Sequence, residues 1–160
     1  MPRIVRVDTV AEFVRLHELL LAYEAGLEPA LRHGDVPPLE GVTRAYAAPN
    51  AAFLALSGGE SVGCVVVRRL DAETAVLARL FVRPQHRGAG IARALVERVV
   101  DFARDADFAR VVLDTDKDKL PAAYRLYLSF GFSECEPYET VDYGCPTFMQ
   151  LPLSAERRLP

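Results

Sequence analysis

The sequence predicts one mixed α/β domain over residues 1–160: a mostly antiparallel sheet of about six to seven strands flanked by about four helices. Three observations predict it. Short β-rich apolar runs recur at "RIVRV", "AAFLALS", "SVGCVVV", "TAVLARLFV", "ARVVLDT" and "TFMQLPL". Other segments repeat apolar residues at three- and four-residue spacing, the helical period. No repeat, linker or low-complexity tract divides the chain, and its 160 residues can build a core without staples.

Arg3 to Val7 alternate polar and apolar residues, a half-buried first strand. Thr9 follows as an N-cap with Glu12 three residues on, a capping box that opens a helix. Val10, Phe13, Leu16, Leu19, Leu20 and Tyr23 form its apolar face, and the period fails near Gly26. "LEPALRHGDVPPLEG" is irregular or holds one short helix, and a weak second helix covers about Leu39 to Ala47. Two β-rich runs around Ser57, Gly58, Gly59 and Glu60 then make a hairpin. A turn at "LDAET" leads into "TAVLARLFV", giving three antiparallel neighbours in succession. After "RPQHRGAG" a helix runs from Ile91 to about Ala106, with Leu95, Val99 and Phe102 facing the core. "ARVVLDT" is a buried strand, and "LPAAYRLYLSFG" is a helix started near Pro121 and stopped by Gly131. "FSECEPY" and "TFMQLPL" are two closing strands.

Composition narrows the chemistry. With 51% apolar and 26% charged residues the chain is an ordinary globular one. Its net charge of -3 gives no whole-molecule attraction to nucleic acid or an anionic membrane, and neither is expected as a partner. Cys64, Cys135 and Cys145 are odd in number and lack C-x-x-C spacing, so no metal site is expected and a reducing compartment is. "MPRIVRVDTV" lacks a signal-peptide pattern, and no run approaches the roughly 18 apolar residues of a membrane span. The expected location is cytoplasmic. "DTDKDK", Asp114 to Lys119, lacks the glycine and distal glutamate of a calcium loop and reads as a solvated turn. His17 and His33 are isolated, and Cys64 belongs to the core.

The stretch "RLFVRPQHRGAGIARAL" carries the most information. Amides at a helix start have no intrahelical acceptor, and the helix dipole adds partial positive charge there. Gly88 and Gly90 lack a Cβ, so an anion can approach the main chain, and Arg87 adds a charge-assisted contact. The nucleotide-triphosphate loop G-x-x-x-x-G-K-[ST] is absent, and the dinucleotide pattern G-x-G-x-x-G fails at Arg93. From the loop alone, an anion cradle and a plain turn both stay open.

The surroundings add a resemblance. "LFVRPQHRGAGIARAL" resembles the acetyl-CoA-binding segment of the GNAT N-acetyltransferase superfamily, Q/R-x-x-G-x-G/A, through Gln85, Gly88 and Gly90. It follows a strand ending Val82, Arg83, Pro84, as is common there. "AAYRLYLSFGF" resembles the family segment A-x-x-L-Y-x-x-x-G-F through Ala123, Leu126, Tyr127, Gly131 and Phe132. The resemblance implies a GNAT-like α/β (α+β) fold, acetyl-CoA as donor and an amine as acceptor, and it is compatible with a homodimer.

The resemblance also implies roles. Leu80, Phe81 and Val82 would offer backbone groups to the pantetheine arm, as an open strand edge does. The amides of Arg87, Gly88, Ala89, Gly90 and Ile91 would hold the pyrophosphate, with Gln85 and His86 beside them and Tyr124 as a further cofactor contact. Tyr127 would be the general acid for the departing thiolate, since a phenol of pKa about 10 is protonated at neutral pH. A Tyr on an apolar helix face is otherwise a core aromatic. The attacking ammonium must also lose a proton, so a base is expected.

Here the chain departs from the common pattern. The strand Ala75–Leu80 carries no acid, and Val76 stands where many relatives have a glutamate. Leu120 replaces an asparagine common before the last helix. Glu24, Glu28, Asp35, Asp114, Asp116 or a water chain are left as candidate bases. Glu24, Glu28, Asp35, Glu136, Glu139 and Asp142 would make an acidic acceptor mouth that suits a small amine or amino-acid-like molecule. The missing strand acid keeps a second reading open, a CoA-binding module without turnover.

Overall fold

The computed structural model describes residues 2–141 and 143–153; Asp142, one of the expected mouth acids, lies outside them. In order the elements are β1 (Arg3–Arg6), α1 (Val10–Gly26), α2 (Leu39–Ala45), β2 (Ala51–Ser57), β3 (Glu60–Arg69) and β4 (Thr74–Val82). They continue with α3 (Ile91–Asp105), β5 (Arg110–Thr115), α4 (Pro121–Phe130), β6 (Ser133–Glu134) and β7 (Thr147–Pro152). Single 3-10 turns occupy Pro29–Leu31 and Pro84–His86. The strands form a seven-stranded sheet in the order β1-β2-β3-β4-β5-β7-β6. The β1/β2, β2/β3, β5/β7 and β6/β7 pairs are antiparallel and β4/β5 is parallel, the mixed sheet expected. No helix of the described residues is long and apolar enough to cross a membrane. The chain forms two compact units, Met1–Arg68 with Leu77–Val99, and Arg69–Val76 with Val100–Pro160.

In the first unit α1 starts as its capping box dictates. Thr9 Oγ1 accepts from the Glu12 amide at 3.2 Å, and Glu12 Oε1 accepts from the amides of Thr9 and Asp8, both at 2.9 Å. Phe13, Leu16, Leu19 and Leu20 then bury against Val42 of α2, Ala52 and Leu54 of β2, Cys64 and Val66 of β3, and Phe81 of β4. Val10 does not join them: it is 78% exposed, because at the first helical position its side chain lies off the buried stripe. β2 and β3 read as near-continuous apolar runs because both of their faces are covered. Arg98 of α3 lays its guanidinium over the Phe53 ring, 5.2 Å from the centroid.

In the second unit Val111, Val112 and Leu113 of β5 are buried between β7 and the start of β4. The last turns of α3 contribute Val100 and Ala103, whereas Phe102, expected on the core face, is only half-buried. α4 begins with Pro121 at its first turn and ends at Gly131 in the left-handed conformation, φ +99°. β6 shrinks to two residues, far less than "FSECEPY" predicts: Ser133 and Glu134 pair with β7, the Cys135 amide adds a bond to the Phe148 carbonyl at 2.8 Å, and the chain then turns away. The segment Asp114–Lys119 is not simply solvated. Asp116 is buried, and its Oδ1 accepts from the amides of Asp118 and Lys119, folding a tight turn before α4.

Candidate active site

β4 and the loop after it position the first set of groups. The parallel register with β5 covers only Thr74–Val76, and β4 runs on to Val82. Arg79 interrupts the strand with φ +54°, a left-handed value that an L-residue adopts at a cost of about 1–2 kcal/mol. Ala78 and Phe81, three residues apart, both pack against the α1–α2 core, which strict strand alternation forbids. The irregularity at Arg79 absorbs the extra residue, as bulges near functional sites do. Gly88 and Gly90 follow with φ +84° and +79°, and a Cβ on either would meet nothing within 4 Å. α3 makes its first hydrogen bond from Ala94 N–H to the Gly90 carbonyl. The amides from Gly88 to Ala92 therefore have no protein acceptor among the described residues. Arg87 folds back, its Nε donating to the Val82 carbonyl at 3.0 Å, and His86 Nε2 stands 3.8 Å from Glu60 of the β2–β3 hairpin. Gln85 is exposed.

A second set of groups surrounds a cavity of about 200 Å³ in the same unit. Leu20, Val36, Pro37 and Val42 supply apolar wall, and Glu24, His33, Asp35, Tyr46 and Arg79 supply polar groups. His33 is far from isolated. Glu24 Oε1 accepts from its backbone amide at 2.7 Å and Oε2 pairs with its Nδ1 at 3.1 Å, while the Tyr23 ring stacks on the imidazole at 5.8 Å. His17 also has a partner, its Nε2 standing 3.0 Å from the Pro37 carbonyl oxygen. Burial pushes the Tyr46 phenol up, partly opposed by the nearby Arg79 charge. Among the described residues neither the Arg79 guanidinium nor the Asp35 carboxylate has a hydrogen-bond or ion-pair partner.

The second unit holds a third set. Tyr127 on α4 is buried and meets Phe132 edge-on at 5.8 Å. Tyr124, one turn away, donates its hydroxyl to Glu134 at 2.7 Å. That bond raises the phenol's pKa and, with Lys117 Nζ 3.1 Å away, lowers that of Glu134. Asp114 accepts from Tyr138 at 3.0 Å and from Tyr143 at 2.7 Å, so the loop before β7 is tied to β5. Among the described residues no group of three or more His, Cys, Asp or Glu is placed to hold a metal ion.

The acetyltransferase (GNAT) family model matches residues 14–132. The chain belongs to that family. Within GNAT, the N-acetylaspartate synthetase of Danio rerio is 36% identical over 146 residues, 89% of this chain and 48% of the relative. An uncharacterized N-acetyltransferase of Schizosaccharomyces pombe is 31% identical over 134 residues, 82% of this chain and 81% of the relative. A GNAT-family acetyltransferase structure from Staphylococcus aureus superposes with a TM-score of 0.79 at 21% identity, covering 96% of this chain and all of that one. The chain thus spans about half the length of the first of these relatives.

The GNAT fold clarifies what the sequence left open. Asp116, one candidate base, is committed to its turn, and Asp114 is occupied by two phenols. Glu24 and Asp35 share one cavity, which also gathers three residues that sequence reasoning passed over for the site: His33, Tyr46 and Arg79. Their spacing along the chain follows no motif. The single available signal was a charged residue in the middle of an apolar strand.

Proposed function

We propose that this chain transfers the acetyl group of acetyl-CoA to the primary amine of a small, amino-acid-like acceptor by direct attack in a ternary complex. The observation that carries the donor half is the run of unpartnered amides from Gly88 to Ala92, open to approach at a helix N-terminus. Those amides suit the CoA pyrophosphate, with Gln85 and His86 at the rim. The Leu80–Val82 segment suits the pantetheine amides, although the Val82 carbonyl already accepts from Arg87. The acceptor half draws on a relative whose name is N-acetylaspartate synthetase, an amino-acid product.

In this reading the amine adds to the thioester carbonyl, the C–S bond breaks, and the sulfur takes a proton from Tyr127. Tyr124, its hydroxyl committed to Glu134, contributes ring surface rather than a proton. The test is thiol release from acetyl-CoA over an amine panel, together with an acetyl-CoA-induced rise in melting temperature. Tyr127→Phe is expected to lower kcat by roughly 10²-fold or more, the usual scale of acid catalysis. Unchanged turnover removes that role. A melting shift without thiol release on any amine would instead identify a CoA-binding module.

A further inference from the structure

We propose that the cavity of the first unit is the acceptor site, and that it takes an amine carrying a carboxylate. Arg79 would hold that carboxylate, and His33, buttressed by Glu24, would take the ammonium proton. The inference rests on the acetyl-transfer reading and adds to it the acceptor class and the missing base.

The cavity contains two opposite charges that the fold leaves unpaired, Arg79 on β4 and Asp35 on the loop after α1. Arg79 is half-buried and Asp35 is exposed, and a zwitterion carries the charge complementary to each. The guanidinium fork matches a carboxylate in particular, because its parallel N–H groups meet both oxygens. Arg79 enters the cavity wall from a residue held at φ +54°. A strained backbone at that position is what points to function rather than strand pairing. A volume of about 200 Å³ falls below the roughly 300–1,000 Å³ of pockets for drug-sized ligands, room for a small molecule and not for a folded segment.

His33 supplies what the β4 strand lacks. Glu24 is acceptor-only when ionised, so the Nδ1 it pairs with carries the hydrogen and Nε2 keeps the lone pair. Glu24 is thus a positioning residue and His33 the base. The other titratable and charged groups about the imidazole are Tyr23 stacked on it, Asp35 from its own loop, Tyr46 at the end of α2, and Arg79 from β4. The ammonium gives one proton to His33. The freed lone pair then forms the C–N bond to the acetyl carbon of acetyl-CoA. As the C–S bond breaks, the nitrogen sheds a second proton and the sulfur takes one from Tyr127. One proton passes to solvent in the balance.

The test compares common α-amino acids with their amides and their decarboxylated amines, at fixed acetyl-CoA, in kcat/KM. The acids are expected to win by at least about tenfold, the discrimination of one charge-assisted contact. Arg79→Gln should erase that preference through KM, and Arg79→Lys should restore part of it. His33→Gln should lower kcat and remove the acid limb of the kcat/KM pH profile, a change that loss of packing alone would not produce. The acetyl-CoA melting shift confirms folding of each variant, and the wild-type comparison needs no variant. Equal rates on acid and amide overturn the inference, as does turnover confined to amines lacking a carboxylate. Acetyl-CoA binding with no turnover on any carboxylate-bearing amine also overturns it, and failure of acetyl-CoA to bind at all takes down the transferase reading as well.

Discussion

Gly63 lies directly under the backbone of Phe81. A Cβ added there would stand 2.8 Å from the Phe81 carbonyl oxygen, 3.3 Å from Leu95 Cδ1 and 3.4 Å from Ile91 Cγ2. The absence of a side chain at Gly63 therefore lets β4 and the start of α3 both close on β3.

Gly63→Ala should destabilise by about 1–3 kcal/mol, the scale of overpacking a filled interior. For a chain of this size that is a fall in melting temperature of roughly 2–4 °C per kcal/mol. A thermal melt checks it, and an unchanged midpoint would mean that Phe81 yields without cost.

The capping box makes stability sensitive to acid. The Thr9 amide, then the Asp8 amide, hold the Glu12 carboxyl below its ordinary 4.5. The folded state thus binds this proton less readily than the unfolded chain. Its contribution is present above pH 4.5 and is lost as pH falls through the lower, folded value. Glu12→Gln should flatten that part of the stability–pH curve. Thr9→Ala, which removes the cap itself, should cost about 0.5–2 kcal/mol at neutral pH.

Gly88→Ala and Gly90→Ala meet no steric obstacle, yet each places an L-side chain at positive φ. The strain, about 1–2 kcal/mol per residue, should re-aim the loop amides and not unfold the sheet. Acetyl-CoA should raise the melting temperature less in either variant than in the wild type. An equal shift would return the loop to a plain turn.

The cysteines should differ sharply in reactivity. Burial pushes the Cys64 thiol up to about 12, whereas Cys145 is exposed. With a disulfide reagent at neutral pH, Cys145 should react first and the half-buried Cys135 more slowly. Cys64 should react only in denaturant. Fast labelling of all three in the native protein would contradict the burial of β3.

The fold was legible where local chemistry and packing agree. Thr9 with Glu12, Pro121 with Gly131, and the turn at Gly58–Gly59 each announce a boundary by backbone chemistry alone, and each boundary stands where it was expected. The glycine loop was legible for the same reason. The cavity lined by Glu24, His33 and Arg79 was not. Glu24 and His33 meet across the 3-10 turn Pro29–Leu31, and no periodicity links them. Arg79 reads as a polar residue in a strand until its positive φ is known, since side-chain alternation assigns it no cavity to line. β6 fell short because pairing competes with side-chain ties: past Cys135 the chain is drawn off by Tyr138 and Tyr143 reaching Asp114.

That last arrangement has an optical consequence. The chain has six tyrosines and no tryptophan, so its ultraviolet emission is tyrosine emission. Two of those six fluorophores donate to one carboxylate, a partner that quenches phenol fluorescence in the ground-state complex. Release of the segment before β7 would therefore brighten the protein, giving it a built-in, label-free lamp for loop opening.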